Sequence, residues 1–423
     1  MSDYLSMSRE ALQAELDVLR AGYEEWKGKG LSLDMSRGKP CTEQLDISDD
    51  ILNMTTYKGE SGFDARNYGR LEGMPSARRF FGELLGCAPE EVLVGGNSAL
   101  QLMYFLIDIG WRAGFSDSPC AWRKEETIKF LCPVPGYDRH FCITETFGFE
   151  MINIPMGETG PDMDMVEALV KDDPSIKGMW CVPVYSNPDG FTYSDETVAR
   201  LAKMQTAAPD FRLIWDNAYV VHHLTDEMLS CPNILDACKA AGHPQRPLML
   251  CSTSKITYPG AGVAAIGASA ENIACIVKNF TPMTISFDKM NQLHHVHFFQ
   301  DKAGVLAHMQ KHRAILEPKF DLVKKMFADE LTPCGDIATW TDPKGGYFIS
   351  LYLKDGCAKR TVQLCKDAGV VLTGAGAAYP YGKDSKDSHI RIAPTFPSNA
   401  ELATATELLV HCVRLATVET LLG

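Results

Sequence analysis

The 423-residue sequence lacks the features of membrane, exported and cysteine-framed proteins. No run of about 18 uninterrupted apolar residues occurs, and the first residues show no basic region followed by an apolar stretch, so we expect neither membrane insertion nor export. The 14 cysteines are scattered without a CxxC pair, which argues against a zinc site or a disulfide framework. Reduced thiols of this kind favour a cytoplasmic location.

Basic residues are also scarce. The 41 Lys and Arg residues are outnumbered by 54 Asp and Glu residues, which gives a formal net charge of −13 at pH 7. Such an excess of carboxylates repels phosphate backbones and anionic membrane surfaces, so we expect neither a nucleic-acid nor a membrane partner. With 45% hydrophobic and 22% charged residues the composition is that of a soluble globular protein, and the length predicts two or three domains.

Short apolar runs alternate with helical stretches along most of the chain. Each run ends in a polar or glycine-rich turn, and the runs are residues 92–94, 128–131, 179–184, 213–215 and 248–251. This alternation predicts an α/β fold with a mostly parallel central sheet and helices on both faces. The run 263–268 follows its predecessor too closely for a helical crossover, so we expect it to be antiparallel. After about residue 310 the pattern becomes α+β, which predicts a domain boundary near residues 300–315.

Two of the turns carry candidate catalytic side chains. Lys255, in STSK, follows an apolar run, where partial desolvation can lower the pKa of an amine enough for it to form a Schiff base; a solvated surface lysine is the alternative. Asp216, in DNAY, also ends a run, and a buried aspartate there needs a partner such as a protonated pyridine nitrogen. The alternative for Asp216 is a cap of the next helix. Tyr219 is a candidate donor to the phenolic oxygen of such a pyridine.

Two further turns are candidates for cofactor binding. Asn187, in SNPDG, could hydrogen-bond the same phenolic oxygen, although Asn-Pro-x-Gly is by itself a common turn signal. The segment Gly95-Gly96-Asn97-Ser98 leads from a strand into a helical run, and the free N–H groups at such a helix start can bind a phosphate.

In this order, the motifs GGNSA, PGYD, SNPDG, DNAY, STSK and IRIAP resemble those of the fold type I aminotransferases of class I and II, which depend on pyridoxal 5′-phosphate (PLP). SRGKP, GGNSALQLM and TSKITYPGAGVA are most similar to the type Ic aspartate aminotransferases and the MocR-type aminotransferase domains. The resemblance spans about residues 30 to 400. It implies a large PLP-binding α/β domain at residues 49–305, a small α+β domain formed by residues 1–48 and 306–423, and a homodimer.

The resemblance also implies roles around the cofactor. Lys255 would carry PLP as a Schiff base and move the proton between the substrate Cα and the cofactor C4′. Asp216 would pair with the pyridine nitrogen, Tyr219 and Asn187 would bond the phenolic oxygen, and Tyr137 would stack on the ring. The residues implied to hold the phosphate are Gly96, Asn97, Ser98, Ser252, Ser254 and, from the neighbouring subunit, Tyr68. Many relatives have a phosphate-binding arginine eight residues after the lysine, where this sequence has Val263, so another cation must meet that charge.

For the substrate, the resemblance implies that Arg391 clamps the α-carboxylate and that Gly38 lies over the bound amino acid, with Asn187 beside it. A dicarboxylic substrate needs a second cation, since an unpaired carboxylate in a desolvated site is costly. Arg139 and Arg37 are the candidates, and surface ion pairs are the alternative for both. The resemblance to the type Ic subgroup implies a preference for aspartate and 2-oxoglutarate, with Arg139 the better candidate, so we expect a ping-pong aminotransferase that moves the amino group from aspartate to 2-oxoglutarate.

Two alternatives remain at this point. Another PLP reaction on an amino acid, such as a β-lyase or a decarboxylase, uses the same cofactor frame. A MocR-type ligand-binding regulatory domain would need a DNA-binding module, which the net charge and the roughly 30 residues ahead of SRGKP do not support. His294, His295 and His297 have no carboxylate or cysteine at ligand spacing, so we expect no metal.

Overall fold

The computed structural model describes residues 3–423, apart from the side chain of residue 61, so the first two residues of the predicted small domain lie outside the described residues. Three sheets are present in this part of the chain. Their strands are β1 (Leu33–Asp34), β2 (Val92–Val94), β3 (Lys129–Val134), β4 (Glu150–Gly157), β5 (Gly160–Pro161), β6 (Ile176–Cys181), β7 (Arg212–Asp216), β8 (Pro247–Ser252), β9 (Ala264–Gly267), β10 (Ala338–Trp340), β11 (Ile349–Leu353), β12 (Val370–Val371) and β13 (His389–Ile392).

Helices cover the sheets and connect their strands. They are α1 (Arg9–Gly28), α2 (Thr42–Asp46), α3 (Pro75–Leu85), α4 (Ala99–Arg112), α5 (Asp138–Thr146), α6 (Met163–Asp172), α7 (Asp195–Lys203), α8 (Ile234–Ala240), α9 (Ala270–Phe280), α10 (Lys289–Phe299), α11 (Lys302–Glu330), α12 (Ala358–Asp367) and α13 (Asn399–Leu422). None of the helices within residues 3–423 is long and apolar enough to cross a membrane.

The central sheet has eight strands in the order β2-β9-β8-β7-β6-β3-β4-β5. The five strands β8, β7, β6, β3 and β4 are parallel to their neighbours within this group. Strand β9 is antiparallel to both β8 and β2, as expected for the short connection before it. Strands β2, β3, β6, β7 and β8 therefore end at the same edge of the sheet, and the motif-bearing turns follow them there.

Both faces of this sheet are buried, which explains the continuous apolar runs. In β7, Leu213 and Trp215 belong to the core on the side of α3, α6, α7, α8 and α10, and Ile214 belongs to the core on the side of α4, α5 and α9. The apolar side chains of β2 and β3 alternate between the same two cores. The predicted α/β fold with a mostly parallel sheet is confirmed.

A third core lies under α1, α11, α12 and α13 and under the antiparallel sheet β10-β11-β13. Helix α11 begins at residue 302, within the predicted boundary region of residues 300–315, because the Asp301 side chain accepts a hydrogen bond from the Gly304 N–H at 2.9 Å and caps the helix there. The helix runs without interruption across residues 305 and 306. The division into residues 49–305 and residues 1–48 with 306–423 stays a prediction.

Candidate active site

A cavity of about 370 Å³ opens where the turns after the parallel strands meet the segment that follows β1 and the strands β11 and β13. Eight of the predicted site residues line it. They are Arg37, Gly38, Tyr137, Arg139, Asn187, Tyr219, Lys255 and Arg391. The first and the last of them, Arg37 and Arg391, are more than 350 residues apart in the chain, so only the folded structure brings these residues together.

Lys255 lies in the turn after β8, with its side chain directed to the cavity wall. Its Nζ is 4.6 Å from the centre of the Tyr219 ring and 6.0 Å from that of Tyr347. Tyr219 is buried, and burial together with the nearby Asp216 charge raises the pKa of its hydroxyl well above the usual range. The amine therefore faces neutral aromatic surface and a phenol that stays protonated.

Asp216 ends β7 and is 3% exposed. Its Oδ2 is 3.1 Å from Nε2 of His140, while Oδ1 is buried without a hydrogen-bond partner among the described residues. His140 is held parallel to Trp180, with the ring centres 4.4 Å apart. No described α-helix begins at Asp216, so the alternative of a helix cap does not apply. A buried carboxylate with one unused oxygen fits a cationic N–H donor.

Arg391, on β13, is 7% exposed and reaches across to the large sheet. Its Nη1 donates to Oδ1 of Asp138 at 2.8 Å and to Oδ1 of Asn187 at 3.3 Å, and its Nε is buried without a partner among residues 3–423. The Asn187 side chain is also hydrogen-bonded to the Tyr219 hydroxyl. Asn187 therefore joins the guanidinium and the phenol in one wall of the cavity.

The predicted phosphate-binding residues form a second group where the turns after β2 and β8 touch. Ser254 Oγ donates to the Asn97 carbonyl at 3.2 Å, and Ser252 Oγ donates to Ser254 Oγ at 3.2 Å. Gly96 has a φ of +73°, which favours glycine, and Ser98 is the N-cap of α4. Backbone N–H groups, small side chains and a helix N-terminus thus converge there. Val263, at the position where many relatives have a phosphate-binding arginine, is buried in the core on the α3 side.

The substrate side of the cavity is crowded at one point and cationic at others. A Cβ on Gly38 would lie 2.5 Å from Cζ of Phe348, so the backbone approaches that ring as only glycine allows. Arg37 and Arg139 are exposed, and neither forms an ion pair with another described residue. Lys39 is a third exposed basic residue in the cavity lining, with its Nζ 3.7 Å from the centre of the Phe396 ring.

Tyr68 does not join the cavity lining and is 75% exposed. Sequence reasoning also missed several residues of the site. Asp138 and His140 lie in the same segment as Tyr137, and a buried histidine and an acid beside a predicted cofactor stack could have marked them. Lys39 and Thr373 also line the cavity, but nothing in their sequence surroundings distinguishes them.

Comparison with known proteins identifies the family. The family model described as aspartate amino-transferase matches residues 7–423. An aspartate aminotransferase of Corynebacterium glutamicum is 47% identical over 431 residues, which cover 99% of each sequence. The chain belongs to the fold type I, PLP-dependent aminotransferases. The crystal structure of an aspartate transaminase from the same organism matches this aminotransferase with a TM-score of 0.96 at 46% identity, covering 99% of each chain.

More distant solved structures share the fold. The α-aminoadipate aminotransferase of Thermus thermophilus, solved in complex with N-(5′-phosphopyridoxyl)-L-leucine, has a TM-score of 0.73 at 22% identity over 92% of this chain and 93% of its own. The predicted family, fold and enzyme class are confirmed. The substrates and the role of each site residue stay predictions.

Proposed function

We propose that this aminotransferase uses PLP to move the amino group of aspartate to 2-oxoglutarate by a ping-pong mechanism. The observation that carries the proposal is the composition of one cavity, which is lined by an amine, a buried arginine with an unused Nε and two unpaired surface arginines. The amine matches an aldehyde cofactor, the buried arginine matches an α-carboxylate, and the surface arginines match a second carboxylate.

The residues present fit PLP at its pyridine end. The unpartnered Oδ1 of Asp216 would accept a hydrogen bond from the protonated pyridine nitrogen, and His140 would hold the other carboxylate oxygen. Tyr219 and Asn187 would bond the phenolic oxygen, and Tyr137 would cover the ring. When bound, PLP acts as an electron sink that stabilises negative charge at the substrate Cα.

The phosphate end is supported by the second group of residues. Gly96, Asn97, Ser98, Ser252 and Ser254 would supply N–H and hydroxyl donors, and the N-terminus of α4 adds its partial positive charge. The exposed Tyr68 would reach the phosphate of a second copy of the chain, so we include a homodimer in the proposal. The cytoplasmic location expected from the sequence stays a prediction.

Lys255 would hold the cofactor covalently and, once released by the substrate, take the proton from Cα and return it at C4′. Its Nζ, 4.6 Å from the centre of the Tyr219 ring, lies beside the residues that would bond the phenolic oxygen of the cofactor. Burial raises the pKa of Tyr137 to about 12, so that this ring would also cover the site as a neutral phenol.

Arg391 would clamp the α-carboxylate of both substrates. Asp138 and Asn187 hold Nη1 from one side, which leaves the rest of the planar guanidinium to form paired hydrogen bonds with a carboxylate. For the side chain, Arg139 is the preferred partner because it lies two residues beyond Tyr137, and Arg37 is the second candidate beside Gly38.

A survey of amino acids by absorbance spectroscopy tests the proposal. Purified protein loaded with PLP should lose its yellow colour fastest with aspartate and glutamate, and 2-oxoglutarate or oxaloacetate should restore it. Lys255→Ala is the matched control, which should bind PLP without covalent attachment. A β-lyase would release ammonia together with the 2-oxo acid, and a decarboxylase would release CO₂ and an amine, and neither would leave the protein in the colourless amine form that a 2-oxo acid restores to yellow. A preference for neutral donors would overturn the aspartate assignment.

A further inference from the structure

Polar side chains surround the backbone carbonyls of two consecutive residues, Lys255 and Ile256. Tyr347 Oη donates to the Lys255 carbonyl at 3.3 Å, and His222 Nε2 lies 3.3 Å from the same oxygen. The Ile256 carbonyl is 3.0 Å from Nε2 of each of two histidines, His308 and His312. Four side chains thus hold two consecutive carbonyls.

Gln44, on α2, connects two of these side chains and fixes the direction of their hydrogen bonds. Its Oε1 accepts the Cys41 N–H at 3.1 Å, so its Nε2 carries the two donor protons. One goes to Nδ1 of His312 at 2.9 Å and the other to Oη of Tyr347 at 3.0 Å. His312 then carries its own proton on Nε2, which faces the Ile256 carbonyl at 3.0 Å and Nε2 of His308 at 3.2 Å, and Tyr347 is left to donate to Lys255.

Every link of this chain is dry. Gln44 and Tyr347 are 0% exposed and His312 is 1% exposed. Burial lowers the pKa of His312 to about 3, so the imidazole is neutral and its two nitrogens have opposite roles. Replacing Gln44 leaves His312 Nδ1 without a donor where water cannot reach it, so the imidazole is no longer held with its proton on the Nε2 that faces the Ile256 carbonyl.

We propose that Gln44 is a positioning residue for Lys255, acting through Tyr347 and His312 on the backbone of the lysine's turn. The inference rests on the proposed role of Lys255 as the cofactor-binding amine. Gly38, which lines the cavity, lies only three residues before Cys41. The segment that forms one wall of the substrate cavity is therefore continuous with the group that holds the lysine in place.

Hydrogen–deuterium exchange of the cofactor-free protein tests the link without any reaction. The Ile256 and Thr257 N–H groups donate to the Thr253 carbonyl at 2.9 and 2.8 Å, so their exchange reports on the turn. Gln44→Met, which keeps the side-chain volume, should speed exchange of residues 253–258 about tenfold, the order expected for the loss of buried hydrogen bonds. Gln44→Glu should do the same, because it keeps the acceptor for Cys41 and removes the amide donors.

Gln292→Met is the matched control. Gln292 is also buried, and its side chain is hydrogen-bonded to the Met74 N–H and the Val94 carbonyl but not to residues 255–256. The Met variant loses these two hydrogen bonds. In Gln292→Met, residues 253–258 should exchange at the rate measured in the unmodified protein. If residues 253–258 exchange in Gln44→Glu, or in both Gln44 variants, at the rate of the unmodified protein, the proposal is overturned. If Gln44→Met does not fold, Tyr347→Phe tests the last link, since it removes only one hydroxyl group.

The loaded enzyme supplies a second, independent readout. Gln44 does not line the cavity, so Gln44→Met should lower kcat about tenfold while the KM for the amino donor changes by less than about twofold. A raised KM at unchanged kcat would contradict a positioning role. If borohydride reduction traps the cofactor on a residue other than Lys255, the proposed function fails, whereas the exchange experiment still decides whether Gln44 holds the turn.

Discussion

His140 Nε2 lies 3.1 Å from Oδ2 of Asp216, while Oδ1 of the same carboxylate has no partner within residues 3–423. The histidine is itself fixed by stacking on Trp180. One oxygen of the carboxylate is thus held in place and the other is available. This asymmetry suits a group that must present a single acceptor to a ligand in one direction.

Replacing Asp216 tests that arrangement. Asp216→Asn keeps the shape but loses the charge that would keep a pyridine nitrogen protonated, so transamination should fall about a thousandfold while some PLP still binds. Steady-state rates and the absorbance of bound cofactor measure the two effects separately. Asp216→Ala should be at least as impaired. A near-normal rate in either variant would show that the carboxylate only supports the fold.

Side-chain recognition is tested by comparing the two unpaired arginines of the cavity. Arg139→Ala should raise the KM for aspartate and 2-oxoglutarate about tenfold or more, the order of one charge-assisted hydrogen bond, and should change the KM for alanine by less than about twofold. Arg37→Ala should have a smaller effect on the same substrates. An equal loss for all donors would remove Arg139 from side-chain recognition.

The proposed homodimer is tested through Tyr68. Sedimentation at assay concentration should show a homodimer, and Tyr68→Phe should weaken PLP binding about tenfold through the loss of one hydrogen bond to a phosphate. Tyr104→Phe, at another exposed tyrosine, is the control and should leave PLP affinity unchanged. Full activity in a monomeric species would refute the shared site.

Buried neutral histidines predict loss of stability in acid. Burial lowers the pKa of His308 to about 4 from 6.5, so the unfolded chain binds more protons than the folded one between these values. The stabilisation is complete above pH 6.5 and is lost as the pH falls toward 4. The free energy of unfolding should therefore fall between pH 7.5 and pH 5, and this fall should be smaller in His308→Gln by up to ~2 kcal/mol. His297→Gln, on an exposed position of α10, controls for removing a histidine, and an identical pH dependence in all three proteins would contradict the prediction.

Much of the site was predictable because its signals are local. Strand runs and turn residues are encoded by neighbours in the chain, so Lys255, Asn187 and Asp216 could each be assigned to the end of a strand, and parallel strands place such ends at one edge. The antiparallel direction of β9 followed from the shortness of one connection. Strand limits were less accurate: β6 ends at Cys181 rather than 184, since the chain then reaches Pro183, which has no N–H for a sheet hydrogen bond.

The sequence by itself determined the family, the α/β sheet and the identity of the residues at its edge, because periodicity and turn chemistry depend on residues close together in the chain. Only the tertiary structure decided the partners of those residues. The contact of Asp138 with Arg391 spans 253 residues and that of Gln44 with Tyr347 spans 303. Such pairs arise only when segments far apart in the chain pack together, and no local pattern specifies which distant side chain a buried polar group will meet.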